Sequence, residues 1–188
     1  MPKAGVVAIQ GDFAKHIEAL LRCGLKKEDV LEVRTPEDLA KADRVILPGG
    51  ESTTVGLLMQ RFGLGDALIE AAKREMPIWG TCMGMIMMAR EVEDRKQYSL
   101  NLLDITVERN AFGAQVHSFE DEVTVEGLDE PLTAVFIRAP VVTKWGEAEP
   151  IATYREKVVA VRQGNLIGTS FHPELTGDIR LHKLFLTL

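Results

Sequence analysis

The first half of the chain alternates short, continuous apolar runs with stretches of helical period. Residues 4–9 (Ala-Gly-Val-Val-Ala-Ile) form one such run, and after Gln10-Gly11 the apolar positions Ile17, Leu20 and Leu21 follow a helical spacing that stops at Gly24. This pattern predicts strand, turn, helix. A second strand is predicted at 30–33, followed by Thr35-Pro36-Glu37-Asp38, where Thr35 suits an N-cap, Pro36 the first helical position and Asp38 the return half of a capping box. Arg44-Val45-Ile46-Leu47 predicts a strand that ends at Pro48-Gly49-Gly50. Helices follow at about 53–61 and 65–74, and Pro77-Ile78-Trp79 predicts a strand that turns sharply at Gly80 into a helix near 83–91.

Uniformly apolar strands spaced by helices predict a parallel sheet covered on both faces. Beyond residue 100 the texture changes to closely spaced β runs at 103–108, 122–126, 133–137, 150–154, 157–161 and 166–170, with Gln163-Gly164-Asn165 as a hairpin turn. These predict an antiparallel extension of the same sheet, closed by a helix over 178–188. At 188 residues and 46% hydrophobic content, the chain can bury a full core but is short for two ordinary domains. The expectation is one α/β domain over 1–188, three layers deep (α/β/α), with a mixed central sheet.

A net charge of −6 lacks the basic footprint of a protein that neutralises phosphates, so no nucleic-acid partner is expected. The apolar run near the start is too short for a signal-peptide core. No segment approaches the roughly 18 apolar residues of a membrane span, so no membrane association is expected either. The cysteines, Cys23 and Cys82, belong to no Cys-x-x-Cys or Cys/His cluster. A reducing cytoplasmic setting without a structural metal is expected.

Chemistry concentrates at three places. Gly80-Thr81-Cys82-Met83-Gly84 stands between a buried strand and a helix, the setting of a nucleophile elbow in which flanking glycines permit the turn and leave the central side chain exposed. There the thiol faces helix N-terminal N–H groups, which favour a thiolate and can hold an oxyanion. Of the histidines at 16, 117, 172 and 182, only His172 has a carboxylate placed to help it. In Ser170-Phe171-His172-Pro173-Glu174 an extended segment would set His172 and Glu174 on one face, so that Glu174 orients the imidazole as in a nucleophile–base–carboxylate triad. Third, Pro48-Gly49-Gly50-Glu51-Ser52-Thr53-Thr54 offers backbone N–H groups and a helix N-terminus to a carboxylate or oxyanion, without the spacing of a phosphate loop. Each segment alone also admits a structural role: a small buried thiol, a loop tripeptide, a capped tight turn.

Together these segments resemble the triad, class I glutamine amidotransferases, whose domain is flavodoxin-like. Within that class Pro48–Thr54, Gly80–Gly84, Val107-Glu-Arg-Asn-x-Phe-Gly113, Phe136-Ile-Arg-Ala-Pro140 and Ser170–Thr176 resemble the glutaminase subunits of pyridoxal 5'-phosphate synthase. The resemblance implies hydrolysis of L-glutamine by Cys82, His172 and Glu174, with an oxyanion hole at the N–H groups of Gly50 and Met83. It implies a glutamine site of Gly50, Glu51, Ser52, Arg109, Ile137 and Arg138, with Gln10 near the oxyanion hole. A guanidinium and a carboxylate suit the two charges of a free amino acid. No cofactor is implied. The implied partner is a separate, barrel-type synthase subunit that takes the ammonia and combines it with ribose 5-phosphate and glyceraldehyde 3-phosphate.

The chain departs from that family at Met83, Met85, Met87 and Met88, where a residue such as Ala or Leu is usual, and at Ala114 and His117. The methionine stripe reads as core packing by a flexible filler, with an ammonia route as the alternative. Two other readings stay open: a glutaminase serving a different synthase, and a non-catalytic α/β protein that keeps a reactive elbow cysteine.

Overall fold

The structure, a computed structural model, describes residues 2–93, 95–113 and 117–188; Ala114 lies outside the described residues. Strand β1 (Ala4–Val7) leads into helix α1 (Phe13–Arg22), and β2 (Val30–Val33) into α2 (Pro36–Leu39). The predicted capping box is present: the Asp38 N–H donates to Thr35 Oγ1, and the Asp38 carboxylate accepts from the Thr35 N–H. Strand β3 (Arg44–Leu47) precedes α3 (Ser52–Phe62) and α4 (Leu64–Lys73), which part at Gly63, a left-handed cap with φ 71°. Strand β4 (Ile78–Thr81) then meets α5 (Met83–Met88). These strands pair in parallel in the order β2-β1-β3-β4.

In the second half come β5 (Ala89–Val92), β6 (Leu103–Glu108), β7 (Ser118–Val123), β8 (Leu132–Ile137), β9 (Val141–Trp145), β10 (Glu149–Tyr154), β11 (Lys157–Gln163) and β12 (Leu166–Thr169), then α6 (Arg180–Phe185). The main sheet continues from β4 through β12, β11, β9 and β6 to β5, with β10 also paired to β11. Strand β12 lies parallel to β4, while β11 runs antiparallel to both β12 and β9, so the sheet is mixed as expected. The β11–β12 hairpin turns at Gly164, whose φ of 59° is the left-handed conformation such a turn needs.

Three elements differ from the sequence pattern. The helix expected to reach 91 stops at Met88, because Ala89 turns extended (ψ 151°) and Ala89–Val92 pairs in parallel with β6. The run expected at 122–126 is β7, which begins at Ser118 and pairs antiparallel with β8 in a separate two-stranded sheet. Strand β9 was not expected. Its outer end, Lys144 and Trp145, is exposed, which hides the β alternation.

Successive residues of a strand face opposite sides of the sheet. Val45, Leu47 and Ile78 accordingly pack with α2–α5, whereas Ile46 and Trp79 pack with α1, α6 and the β7–β8 pair. Met83, Met85, Met87 and Met88 are all buried in the first of these cores, as packing residues.

Helix α5 approaches β3 so closely that a Cβ on Gly84 would collide with the Leu47 carbonyl oxygen. Gly84→Ala is therefore expected to destabilise the fold by about 3 kcal/mol, the upper part of the range for an overpacked core. Denaturant unfolding checks this, and wild-type stability would show that α5 can move off the sheet.

Candidate active site

The carboxyl ends of β1, β3, β4 and β12 lie together, and the loops that leave them build the site. At the end of β4 the chain makes the elbow. Cys82 sits at φ 50° and ψ −106°, a conformation costly for a residue with a Cβ and typical of a side chain forced out of a tight strand-to-helix turn. Its N–H donates to the Thr169 carbonyl at 2.7 Å, which ties the elbow to the end of β12. Its Sγ lies 3.8 Å from the Ile137 carbonyl oxygen.

Beyond Thr169 the chain runs through buried Ser170 and Phe171 to His172, whose N–H is held by the Val135 carbonyl at 2.8 Å. Pro173–Leu175 then forms a single 3-10 turn. The expected contact is present, but the expected route to it is not. The segment is turned rather than extended, and this turn brings Glu174 Oε1 to 2.7 Å from His172 Nδ1. His172 Nδ1–H donates to the carboxylate, leaving Nε2 for Cys82. Burial alone would lower the pKa of His172, but hydrogen bonds and charge from Cys82 and Glu174 overcome it and raise the value to about 10. The imidazole is thus an imidazolium at neutral pH, the charge that stabilises a thiolate beside it. Helix α5, with only six residues, contributes less than the sequence suggested.

The loop after β3 passes beside this pair. A side chain at Gly49 would place its Cβ 2.6 Å from His172 Cε1, so only glycine lets the backbone approach the imidazole. Glu51 spends its carboxylate capping α3, accepting from the N–H groups of Thr53 at 3.0 Å and Thr54 at 2.7 Å. Those bonds hold its pKa at about 2. Gln10 Oε1 accepts from the Glu51 N–H at 3.4 Å, so Gln10 braces this loop. Arg109 reaches in from the end of β6, its Nη1 donating to Ser52 Oγ at 3.2 Å and Gln97 Oε1 at 3.0 Å. Arg138, at φ 45°, follows Ile137 at the end of β8, and its N–H donates to the His117 carbonyl.

These residues line one cleft of about 370 Å³, which holds Gly50, Glu51, Ser52, Cys82, Met83, Arg109, Ile137, Arg138 and His172. Every residue expected at the site borders it except Glu174, which backs His172, and Gln10, which supports the loop. As the first residue of α5, Met83 carries an N–H without an intrahelical acceptor, available to an oxyanion. Asp12, His172 and Glu174 are the one group among the described residues whose ligand atoms lie close enough to hold a cation, within 4.8 Å. His172 and Glu174 of that group are already hydrogen-bonded to each other.

Sequence reasoning missed what stands behind Glu174. His16 and His182 are buried, and His16 Nε2 is 3.4 Å from Glu174 Oε2. The signal was present: His16, Ala19 and Leu20 form the buried stripe of α1, so a histidine sits on an apolar helix face.

A family model described as SNO glutamine amidotransferase family matches residues 6–188. A protein of Herpetosiphon aurantiacus named pyridoxal 5'-phosphate synthase subunit PdxT is 50% identical over 190 residues, covering 98% of this chain and 98% of its own. One of the same name from Pelotomaculum thermopropionicum is 46% identical, covering 98% and 93%. A solved structure described as a glutamine amidotransferase matches at a TM-score of 0.92 and 45% identity, over 98% of this chain and 97% of its own. The structure of PurLQS from Thermotoga maritima, at 18% identity and a TM-score of 0.75 over 99% and 98%, shares the fold.

Because the folded His172 value of about 10 lies above the ordinary 6.5, the ion pair's contribution to stability is complete below pH 6.5 and is lost as pH climbs through about 10. Titration of the His172 imidazole by NMR should find that midpoint, and Glu174→Gln should lower it by at least about 1 unit, the effect of removing an opposite charge in contact. An unmoved midpoint would mean that Glu174 does not balance the imidazolium.

Proposed function

Since the chain belongs to the SNO glutamine amidotransferase family, we propose that it is the glutaminase subunit of a pyridoxal 5'-phosphate synthase and that Cys82, His172 and Glu174 carry its hydrolysis of glutamine. The observation that carries the assignment of chemistry is the elbow thiol beside an imidazole held at 2.7 Å by a buried carboxylate. The Cys82 thiolate attacks the carbon of the side-chain amide, and the tetrahedral oxyanion is held by the N–H groups of Gly50 and Met83. The His172 imidazolium gives its proton to the departing ammonia, leaving a glutamyl thioester. Water then attacks the thioester with His172 as base, releasing glutamate and regenerating the thiolate–imidazolium pair.

Arg109 is the partner for the substrate carboxylate. It already stands in the cleft on Ser52, a short reorientation from an incoming anion. The ionised Glu51 borders the same cleft and keeps acceptor capacity for the substrate ammonium. Ile137 and Arg138 line the same cleft.

The ammonia goes to the synthase subunit, a barrel-type partner that joins it to ribose 5-phosphate and glyceraldehyde 3-phosphate. A chemical reason supports direct transfer: ammonia released into water becomes ammonium and ceases to be a nucleophile. Residues 1–188 act in this complex as one domain, in the cytoplasm. Among the described residues no helix is long and apolar enough to cross a membrane.

Glutamate release, measured with and without the synthase subunit, tests the proposal. The wild-type chain should be accelerated by the partner, Cys82→Ala should release no glutamate at an unchanged unfolding midpoint, and Cys23→Ala should keep its rate. Arg109→Ala should raise KM for glutamine more than it lowers kcat, the mark of lost substrate binding. Substantial release by Cys82→Ala would refute the mechanism.

A further inference from the structure

Behind Glu174, away from the cleft, the protein buries two histidines that the hydrolysis does not use. His16 on α1 and His182 on α6 are both 0% exposed. Their rings meet at 3.0 Å, His16 Nδ1 to His182 Nε2. The other nitrogen of His16, Nε2, lies 3.2 Å from Thr81 Oγ1, the residue before the nucleophile, and 3.4 Å from Glu174 Oε2. Trp79 packs edge-on against both rings, with centroids 5.8 and 4.9 Å away, and so limits their rotation. Glu174 therefore has one oxygen on His172 and the other in a buried site with no well-aligned hydrogen bond among the described residues, facing His16 Nε2.

The proton positions follow from what is left over. His182 Nδ1 is buried without a partner. An orphaned N–H costs more than an orphaned lone pair, so the proton of His182 sits on Nε2 and is donated to His16 Nδ1. His16 Nδ1 then accepts, and the single proton of a neutral His16 sits on Nε2, toward Thr81 Oγ1 and Glu174 Oε2. Both rings are neutral: burial, then the neighbouring His182, holds His16 well below the ordinary value, and burial, then Arg22, lowers His182 to about 4.

We propose that His16 is a positioning residue for this reaction: its Nε2–H faces the second oxygen of Glu174, helping to hold the carboxylate with its first oxygen on His172, while His182 sets the tautomer of His16. A buried carboxylate with one bare oxygen is costly to keep charged, and a fixed N–H dipole offsets part of that cost. Neutrality matters. An imidazolium at residue 16 would compete with His172 for the same negative charge, whereas a neutral ring polarises Glu174 without discharging it. Thr81 shares the N–H, which couples the backing of the carboxylate to the strand end that carries Cys82. The proposal rests on the hydrolysis described above, because His16 acts only through Glu174.

A long-range proton–nitrogen correlation on histidine-labelled wild-type chain at neutral pH reads the tautomers directly. Nε2–H is expected at both His16 and His182, and an Nδ1–H form of His16 would overturn the proposal without any variant. In the complex with the synthase subunit, His16→Phe keeps a ring but no N–H. It should lower kcat for glutamine hydrolysis by about tenfold, the low end of losses for residues that orient a catalytic group, with KM within about twofold of wild type. His16→Gln can present an amide N–H to the same oxygen and should return kcat to within about threefold of wild type. Wild-type kcat in His16→Phe, or equal losses in the two variants, would overturn the proposal. If His16→Phe does not fold, the tautomer and the Gln variant decide. Wild-type turnover measured alongside separates the two levels: a wild type inactive on glutamine defeats the proposed hydrolysis, whereas an active wild type with Nδ1–H at His16 defeats this inference alone.

Discussion

The site depends on two parallel strands ending at the same level. Thr81 of β4 lies opposite Thr169 of β12, and the Cys82 N–H closes on the Thr169 carbonyl one residue beyond. That bond sets where both chains turn. On one side the turn is the elbow, which can be that tight because a Cβ at Gly80 would strike the Gly84 backbone and one at Gly84 the Leu47 carbonyl. On the other side the turn carries His172 and Glu174. A shift of β12 by one residue against β4 would flip its buried side chains to the opposite face and move the imidazole away from the thiol, so the hydrophobic register of the sheet is also the register of the triad.

Electrostatics then does what backbone geometry cannot. Burial penalises a charged imidazole, and at His172 this penalty is the largest single influence, yet Cys82 and Glu174 together reverse it. The charge is therefore a property of the trio rather than of the histidine. Glu174 is itself about as buried as His172, which places a carboxylate where water cannot reach its second oxygen. The polar layer of His16, His182 and Thr81 behind it is the protein's substitute for that water.

Much of this was legible in the sequence, for identifiable reasons. Ala4–Val7, Arg44–Leu47 and Ile78–Thr81 are buried at every position, so they appear as largely apolar runs, and Thr35-Pro36 marks a helix start by its own local chemistry. Cys82 stood out because its glycines are needed locally. What stayed hidden was decided by distant contacts. Ala89–Val92 continues a helical composition and becomes a strand only because β6 offers it an edge. Ser118–Val123 is exposed over most of its length and carries no apolar alternation. The pairing of His172 with Glu174 was visible in their spacing, although a 3-10 turn rather than an extended segment produces it. The approach of His16 to Glu174 joins residues 158 apart in the chain: the apolar face of α1 signals that His16 is buried, but nothing local names its partner.

The proposed role of Cys82 is that of a nucleophile that receives the side chain of glutamine. Intact mass and peptide mapping, after treating the complex with an electrophilic glutamine analogue, address it most directly. One adduct per chain is expected, on Cys82, prevented by excess glutamine, with Cys23 unmodified because burial pushes its pKa up and no base stands beside it among the residues it contacts. An adduct on Cys23, or labelling of Cys82 that glutamine does not prevent, would contradict it.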